Sequence, residues 1–270
     1  MKRLVRRVGV YVAVAVAALQ RFMAYRLWFW VTLLGQALTI TLFVAFWKAV
    51  YASRATVGGL QAHQTITYII LTQLLVPVTA WTVTMSLGYF IRDGSIASEL
   101  VRPFDLQLRF YAEGLASVAA IIMQQAIPIG VLAALAFGFR LPLDPVVWLV
   151  FVSSFLIGIT ISFFVDWLVG CFAFFTTEVW GLGILRNGIA QFFSGALIPL
   201  VMLPAGLRNL AYALPFGQAV YQPISILAGI SPISQAPRII LVQLVWLAVL
   251  ATAARLAFTA SVRHVTVQGG

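Results

Sequence analysis

"LWFWVTLLGQALTITLFVAFW", residues 27–47, has no Asp, Glu, Lys or Arg at any position. An α-helix rises about 1.5 Å per residue, so roughly 20 apolar residues are needed to cross the hydrocarbon of a bilayer. Aromatic residues stand at both ends, with Trp28 and Trp30 before the apolar run and Trp47 and Tyr51 at its close. Because aromatic belts mark the two membrane interfaces, this stretch predicts a membrane-spanning helix.

The rest of the chain has the same character. Hydrophobic residues make up 62%, charged residues 9%, and the mean hydropathy is +1.02, whereas soluble domains are about 45–50% apolar. Further charge-free windows occupy 55–91, 114–139, 145–165, 187–207 and 239–254. Backbone amides in lipid must bond within their own segment, which favours helices. We therefore predict an all-α integral membrane protein with six transmembrane helices, at about 28–50, 64–90, 113–138, 146–176, 182–203 and 238–258.

Six crossings place both termini on one side of the membrane. Short cytoplasmic loops are enriched in Lys and Arg. If the termini are cytoplasmic, most of the 17 Lys and Arg residues lie inside. The exceptions, expected outside, are Lys48, Arg54, Arg140, Arg208 and Arg238. This distribution accounts for the net charge of +10 without a nucleic-acid partner.

Residues 1–26 are basic at both ends of a short apolar run, 8–19, which is too short to span. We interpret 1–26 as a cytoplasmic interfacial (elbow) helix that contacts lipid headgroups, and 27–270 as a six-helix transmembrane domain. A signal peptide is the competing interpretation, since Ala13-Val14-Ala15 resembles a cleavage site. An exported start would place Arg21 and Arg26 on the wrong side.

Charges concentrate in "RDGSIASELVRPFD", residues 92–105, the charged segment, which follows the second predicted span. Asp93 or Ser95 is expected to cap a short helix whose first turns hold Glu99. Pro103 is expected to bend or end that helix near Val101–Arg102. The side chains expected to be available to a partner are Arg92, Glu99, Arg102 and Asp105. A solvated turn obeying the positive-inside rule is the alternative.

Catalytic motifs are missing from the sequence. A phosphate-binding P-loop needs Gly before its Lys, but Lys2 follows Met1 and Lys48 follows Trp47. One Cys and two distant His residues offer no metal site. We therefore expect no enzymatic activity, no metal and no cofactor in this chain.

Asp166 is the one acid well inside a predicted span, where an ionised carboxylate is costly and usually functional. Three interpretations are open: a proton-coupling site, a structural group bonded to a neighbouring helix or subunit, or an acid near the inner interface that reaches water. No basic partner at similar depth is evident from the sequence.

Polar residues in two predicted spans are candidates for a transport pathway or a subunit seam. Asn187, Gln191 and Ser194, together with Gly195, share one face of the predicted fifth span. The second span is rich in hydroxyls and amides, including Gln73 and Thr79. Polar residues of this kind also bond helices to one another without lining a path.

Residues 203–229 are apolar but interrupted by Pro204, Pro215 and Pro223, which prevent a continuous span. Leu207, Leu210, Ala211 and Leu214 predict a short amphipathic helix over 205–214. We expect a re-entrant hairpin on the outer side before the last span. It would act either as a plug over a pathway or as an ordinary packed loop.

Taken together, these features resemble the ABC-2 type permeases, the membrane subunits of bacterial ATP-binding cassette exporters. The charged segment looks like the loop of one branch, Gly-x-Ile-x-x-x-Leu-Leu-Arg-Pro. It matches at Gly94, Ile96, Leu100, Arg102 and Pro103, and Val101 replaces the second Leu. The resemblance marks the charged segment as the ATPase-coupling segment. Its candidate residues are Arg92, Asp93, Gly94, Ser95, Glu99, Arg102, Pro103 and Asp105.

The resemblance implies a multi-pass protein of the bacterial cytoplasmic membrane, in contact with lipid and paired with a second permease chain, identical or paralogous. Separate P-loop ATPase subunits would bind ATP and Mg²⁺. Members of the family export lipids, glycan precursors, drugs or peptides, and the polar and aromatic lining here favours a lipid-like or amphipathic substrate. A gradient-driven transporter or channel using Asp166, and a membrane scaffold without transport, are the alternatives.

Overall fold

The computed structural model describes residues 2–23, 26–139, 141–176 and 178–263. The basic side chains of Lys2, Arg3, Arg6, Arg7, Arg21 and Arg26 lie outside the described side chains. The helices are α1 (Lys2–Met23), α2 (Arg26–Tyr51), α3 (Ala62–Leu75), α4 (Val83–Arg92), α5 (Ile96–Val101), α6 (Leu106–Ile121), α7 (Ile127–Phe137), α8 (Pro145–Cys171), α9 (Trp180–Phe193), α10 (Ala205–Ala213), α11 (Pro215–Ala219), α12 (Tyr221–Leu227) and α13 (Ala236–Val262). A two-stranded antiparallel hairpin, β1 (Thr56–Val57) and β2 (Leu60–Gln61), joins α2 to α3.

The prediction of an all-α membrane protein is confirmed. Five helical segments among the described residues are long and apolar enough to cross a bilayer. They are Phe29–Tyr51, Ala62–Arg92, Leu106–Phe137, Pro145–Phe174 and Ile233–Val262. Each overlaps one predicted span, because windows without charge coincide with helices that lipid or neighbouring helices can cover.

The prediction of one continuous helix over 182–203 is wrong. α9 has 14 residues, about 21 Å of helix against the roughly 30 Å of hydrocarbon. After Phe193 the chain turns at Gly195, whose φ of 80° favours glycine. The hydroxyl of Tyr68 donates to the Gly195 carbonyl at 2.8 Å and fixes this turn. Whether α9 and the turn complete a sixth crossing stays a prediction.

The second span is broken near its middle. α3 ends at Leu75, a 3₁₀ turn covers Val76–Thr79, and α4 starts only at Val83. Pro77 causes the break, because its ring has no N–H to bond the carbonyl of Gln73 four residues earlier. The side-chain amide of Gln36, on α2, donates to that carbonyl instead.

A second irregularity lies in the third span. α6 and α7 are joined by a π-helical turn, Ile122–Ala126, and Ile127 N–H donates to the carbonyl of Ile122. Pro128 follows in the first turn of α7. Since Pro128 cannot bond Gln124, the wider turn lets the span continue through the proline.

The hairpin before the last span enters the bundle, in agreement with the predicted re-entrant segment. α11 meets α8 at Gly158, where an added Cβ would lie 2.5 Å from the Ala219 carbonyl oxygen. This contact lies about 20 Å along α8 from Pro145. The buried amide of Gln243, on α13, donates to the Gln218 carbonyl at 2.7 Å.

The amphipathic helix predicted over 205–214 is present as α10, but its buried face differs from the predicted one. Leu207 and Leu210 are exposed, whereas Ala211 is fully buried. Gly217 explains the close packing at Ala211, because an added Cβ there would lie 2.7 Å from the Ala211 carbonyl oxygen. A small residue therefore faces the protein, and the leucines face outward.

Candidate functional site

The break in the second span is closed by an acid from another helix. Asp166, on α8, is 1% exposed. Its Oδ2 accepts hydrogen bonds from the backbone N–H groups of Val83 at 2.8 Å and Thr84 at 3.3 Å. These amides belong to the first turn of α4 and have no acceptor within their own helix. Thr82, at the N-cap position of α4, makes no capping bond, so Asp166 supplies the cap.

Two further groups complete the surroundings of the carboxylate. The Thr84 hydroxyl oxygen lies 2.6 Å from Asp166 Oδ1 and 2.9 Å from the Asp166 carbonyl oxygen. Arg186, on α9, pairs with Oδ1 through its guanidinium. Asp166 therefore joins α8 to both α4 and α9, the geometry expected of a structural group, and it does not reach water.

The expectation that Asp166 has no basic partner at similar depth is wrong, because Arg186 pairs with it. α8 and α9 run in opposite directions and are joined by the short segment 172–179. Asp166 and Arg186 stand at nearly equal distances from that segment, so the two side chains meet at one depth. Equal distance from a short connection was the sequence signal that could have predicted the pair.

A cleft of ≈ 190 Å³ opens beside this cluster, at the break in the second span. Its polar lining comes from the break, from α8 and from α9, and it consists of Thr79, Ser162, Arg186, Asn187, Gln191 and Ser194. Phe216 and Val220, at the re-entrant hairpin, form part of its apolar lining. The structure thus brings four of the predicted pathway residues together, and adds Arg186 to them.

Gln73, the remaining pathway candidate, does not line the cleft. Its backbone carbonyl faces α2, where it accepts the hydrogen bond from Gln36. This position gives it a role in joining α2 to α3. Asn187 and Gln191 are exposed along α9, and exposed amides are costly in lipid, so this face requires protein or water against it.

The charged segment begins with a tight turn. Asp93 Oδ1 accepts hydrogen bonds from the Ser95 hydroxyl at 2.6 Å and the Ser95 N–H at 2.9 Å. These bonds hold the pKa of the Asp93 carboxyl below its usual value, so it stays ionised. Ser95 is at the N-cap position of α5 but makes no side-chain cap bond. The turn, with Gly94 at φ 77°, sets the start of α5 instead.

Glu99 was expected to be available to a partner, and this expectation is wrong. Its side chain is only 8% exposed and pairs with Arg109 on α6. Arg102 reaches back to Glu99 at 3.2 Å, and Arg109 also bonds Glu113 at 3.2 Å. Glu99 and Glu113 therefore share Arg109, and α5 is anchored to the start of the third span.

Asp105 is likewise occupied within the chain. Its Oδ1 accepts from Leu108 N–H at 2.9 Å, which caps α6, and its Oδ2 pairs with Arg255 of α13 at 2.6 Å. The Asp105 N–H donates to the hydroxyl of Tyr11 on α1 at 3.1 Å. One residue thus connects the charged segment to the first helix and to the last span.

The outward surface of the charged segment consists of its most exposed residues. α5 ends at Val101, as Pro103 predicted, and the Val101 side chain is 85% exposed. Arg102 and Pro103 are exposed beside it, and Arg92 makes only a long contact, 3.7 Å, with Glu178. An apolar residue exposed between charges at the end of a bundle is suited to protein contact.

A bundle of helices with a broken second span, a re-entrant hairpin and a charged segment anchored to the bundle describes a multi-pass helical membrane protein. The family model described as "ABC-2 family transporter protein" matches residues 36–269. The chain therefore belongs to the ABC-2 transporter family, whose members are membrane permeases and are not themselves the ATPase. No curated protein matches the chain in sequence.

Proposed function

We propose that this permease exports a lipid-like or amphipathic substrate, using ATP and Mg²⁺ bound by separate cytoplasmic ATPase subunits. Family membership supports association with an ATPase subunit. The observation that carries the proposal is the charged segment, which exposes Val101, Arg102 and Pro103 while its inner face is tied to three helices.

The charged segment is suited to transmit force. A contact at Val101 or Arg102 reaches the third span through Glu99 and Arg109, and the last span through Asp105 and Arg255. Buried side chains and ion pairs fix α5 to the bundle. A displacement of its outer face by a partner would therefore move the third and last spans together with α5. The protein would span the bacterial cytoplasmic membrane. The charged segment and both termini would lie on its cytoplasmic side.

Two copies of the chain, or a paralogous pair, would enclose the pathway. The exposed polar face of α9 and the adjoining cleft support this arrangement, because Asn187 and Gln191 need a non-lipid neighbour. Thr79, Gln191 and Ser194 would then line the path, with the re-entrant hairpin at its outer side.

The test is to co-purify the permease with the P-loop ATPase and to reconstitute the complex in vesicles. Val101→Glu and Arg102→Glu should reduce ATPase retention or ATP-driven transport by at least about tenfold, because both alter the proposed contact. Arg54→Glu, at an exposed arginine in the loop that follows α2, is the matched control and should have no effect. Wild-type retention and transport in both variants would overturn the assignment of the segment.

The gradient-driven alternative is addressed with the same vesicles. It requires Asp166 to exchange protons along a path, whereas the carboxylate is surrounded by donors from α4 and α9 and is closed to solvent. We expect no substrate movement driven by a proton gradient when the ATPase is absent. Gradient-driven movement that Asp166→Asn abolishes would replace the ATP-driven proposal.

A further inference from the structure

We propose that the cleft beside α9 binds the anionic head group of an amphipathic ligand, a phosphate or a carboxylate, with Arg186 as the direct donor. This inference rests on the proposed function only in treating the cleft as part of the substrate path. Binding itself requires no ATPase.

The charge that faces the cleft is positive. Arg186 is the only charged residue in the lining, within the part of the chain that the structure describes. Its partner Asp166 does not line the cleft, since it is buried behind the guanidinium. A ligand in the cleft therefore meets the cation and not the acid.

Asp166 does not neutralise Arg186 completely. The same carboxylate accepts from the first amides of α4, a helix of 10 residues, and a helix N-terminus carries roughly half a positive charge. One negative charge is thus shared between a guanidinium and a helix N-terminus. An excess of positive potential remains beside the cleft, and the low dielectric around these buried groups strengthens it.

Arg186 also has unused hydrogen-bonding capacity. Its Nε is buried and has no hydrogen-bond partner among the described residues, although a guanidinium offers five N–H donors. Planar guanidinium groups bind phosphate and carboxylate oxygens with charge-assisted bonds. An oxyanion in the cleft would accept from the remaining guanidinium N–H groups of Arg186, which is a lining residue.

The remaining lining is consistent with an amphipathic ligand. Asn187 and Gln191 amides and the Thr79 hydroxyl can donate to further oxygens of the same head group. Phe216 and Val220 provide apolar surface on the side of the hairpin. The polar side of the cleft is thus suited to the head group of the ligand, and its apolar side is suited to the hydrocarbon chain.

A thiol placed in the cleft gives a site-specific measurement of binding. The full chain carrying Ala190→Cys and Cys171→Ala, purified in neutral maltoside micelles, is labelled with N-ethylmaleimide. Ala190 lines the cleft and its replacement retains every polar lining residue. Dodecyl phosphate should protect this thiol at a concentration about tenfold or more below that of dodecyltrimethylammonium. A thiol introduced by Leu132→Cys, on the exposed surface of α7, should be protected by neither.

Variants at Arg186 and Asp166 separate the role of charge from that of folding. Arg186→Gln, and the double variant Asp166→Asn/Arg186→Gln that keeps the cluster neutral, should each raise the half-protecting concentration of dodecyl phosphate about tenfold or more. Asp166→Asn should retain protection, because it leaves the cation in place. Arg208, on α10, lies outside the cleft, and Arg208→Gln is the matched control. It should change the half-protecting concentration of dodecyl phosphate less than about twofold.

The proposal is overturned if both amphiphiles protect equally, if Arg186→Gln changes nothing, or if Asp166→Asn abolishes protection while size-exclusion chromatography shows that this variant remains folded. Inorganic phosphate distinguishes the two sources of an oxyanion. Competition by millimolar phosphate would identify a free phosphate ligand, whereas protection by the amphiphile alone would identify a lipid-like head group. Val101→Glu should leave protection unchanged, so failure of ATPase docking and failure of anion binding are separate results.

Discussion

Asp166 accepts its hydrogen bonds from residues that lie far from it in sequence. The amides of Val83 and Thr84 are left open by the break at Pro77, and because Thr82 makes no capping bond, an acceptor from a neighbouring helix satisfies them. Arg186 then balances the charge that this acceptor brings. Asp166 therefore stabilises the interrupted second span, in addition to lying beside the cleft.

Removal of the carboxylate should therefore destabilise the protein strongly. Asp166→Ala leaves two amides and a guanidinium without the carboxylate that accepts from them, and breaking a buried ion pair costs about 3–5 kcal/mol. We expect the free energy of unfolding, measured by SDS titration of the full chain in mixed micelles, to fall by about that amount. Asp166→Ala/Arg186→Leu should recover part of the loss, and equal stability of the single variant and wild type would contradict the cap.

Gly158 should tolerate no side chain, because α11 packs against it. Gly158→Ala places a methyl group 2.5 Å from the Ala219 carbonyl oxygen, and overpacking of this kind costs about 1–3 kcal/mol. Gly35→Ala on α2 is the matched control, since nothing lies within 4 Å of its added Cβ. Thermal unfolding in maltoside should show a lower midpoint for the first variant and an equal or higher midpoint for the second.

At the scale of elements, the charged segment and the helices around it behave as one unit. α5 has only six residues and would not persist alone in water. Its buried residues, Ile96 and Glu99, hold it against the bundle. The ion pairs to α6 and the connection to α13 then fix its direction.

The two roles of Asp105 can be separated by comparing two variants. Asp105→Ala removes the cap of α6, worth about 1 kcal/mol, and the pair with Arg255, worth up to about 1 kcal/mol for exposed groups. Arg255→Ala removes only the pair. Chemical denaturation should show a larger loss for Asp105→Ala, and equal losses would mean that the cap contributes nothing.

Much of the element plan could be predicted from the sequence, but its interruptions could not. Windows without charge located the five long segments, since apolar length is what lipid requires. The break at Pro77 could not be predicted, because membrane helices tolerate proline when a neighbouring group bonds the carbonyl that it leaves open. Glu99 was placed outward because a short charged loop resembles a solvated one, whereas Arg109, ten residues later, draws it inward.

At the scale of the whole molecule, exposed surface is sorted by chemistry. α2 and α13 present leucines and valines outward, such as Leu38 and Leu241, as helices in lipid do. α9 differs, since the exposed amides of Asn187 and Gln191 interrupt its apolar surface. A single copy in lipid would leave these amides unsatisfied.

A second copy against α9 should therefore be detectable by cross-linking. In a Cys171→Ala background, Gln191→Cys should form a disulfide-linked dimer on mild oxidation in native membranes, because facing Cα atoms within about 7 Å can be bridged. Leu132→Cys on α7 is the control at an exposed apolar position and should remain monomeric. The two variants are compared on a non-reducing gel. Disulfide-linked dimers of Leu132→Cys but not of Gln191→Cys would show that the subunit interface does not lie at α9.

The cap on α4 also has a consequence for the order in which the protein is made. Thr84 leaves the ribosome 82 residues before Asp166, the acceptor that its hydroxyl and amide require. Until the fourth span has been synthesised, α4, the second half of the second span, has backbone amides without an acceptor. Such amides are energetically costly in a bilayer. We therefore expect that half-helix to remain at the translocon or at the membrane surface until α8 arrives, so that the fourth span of this permease completes its second.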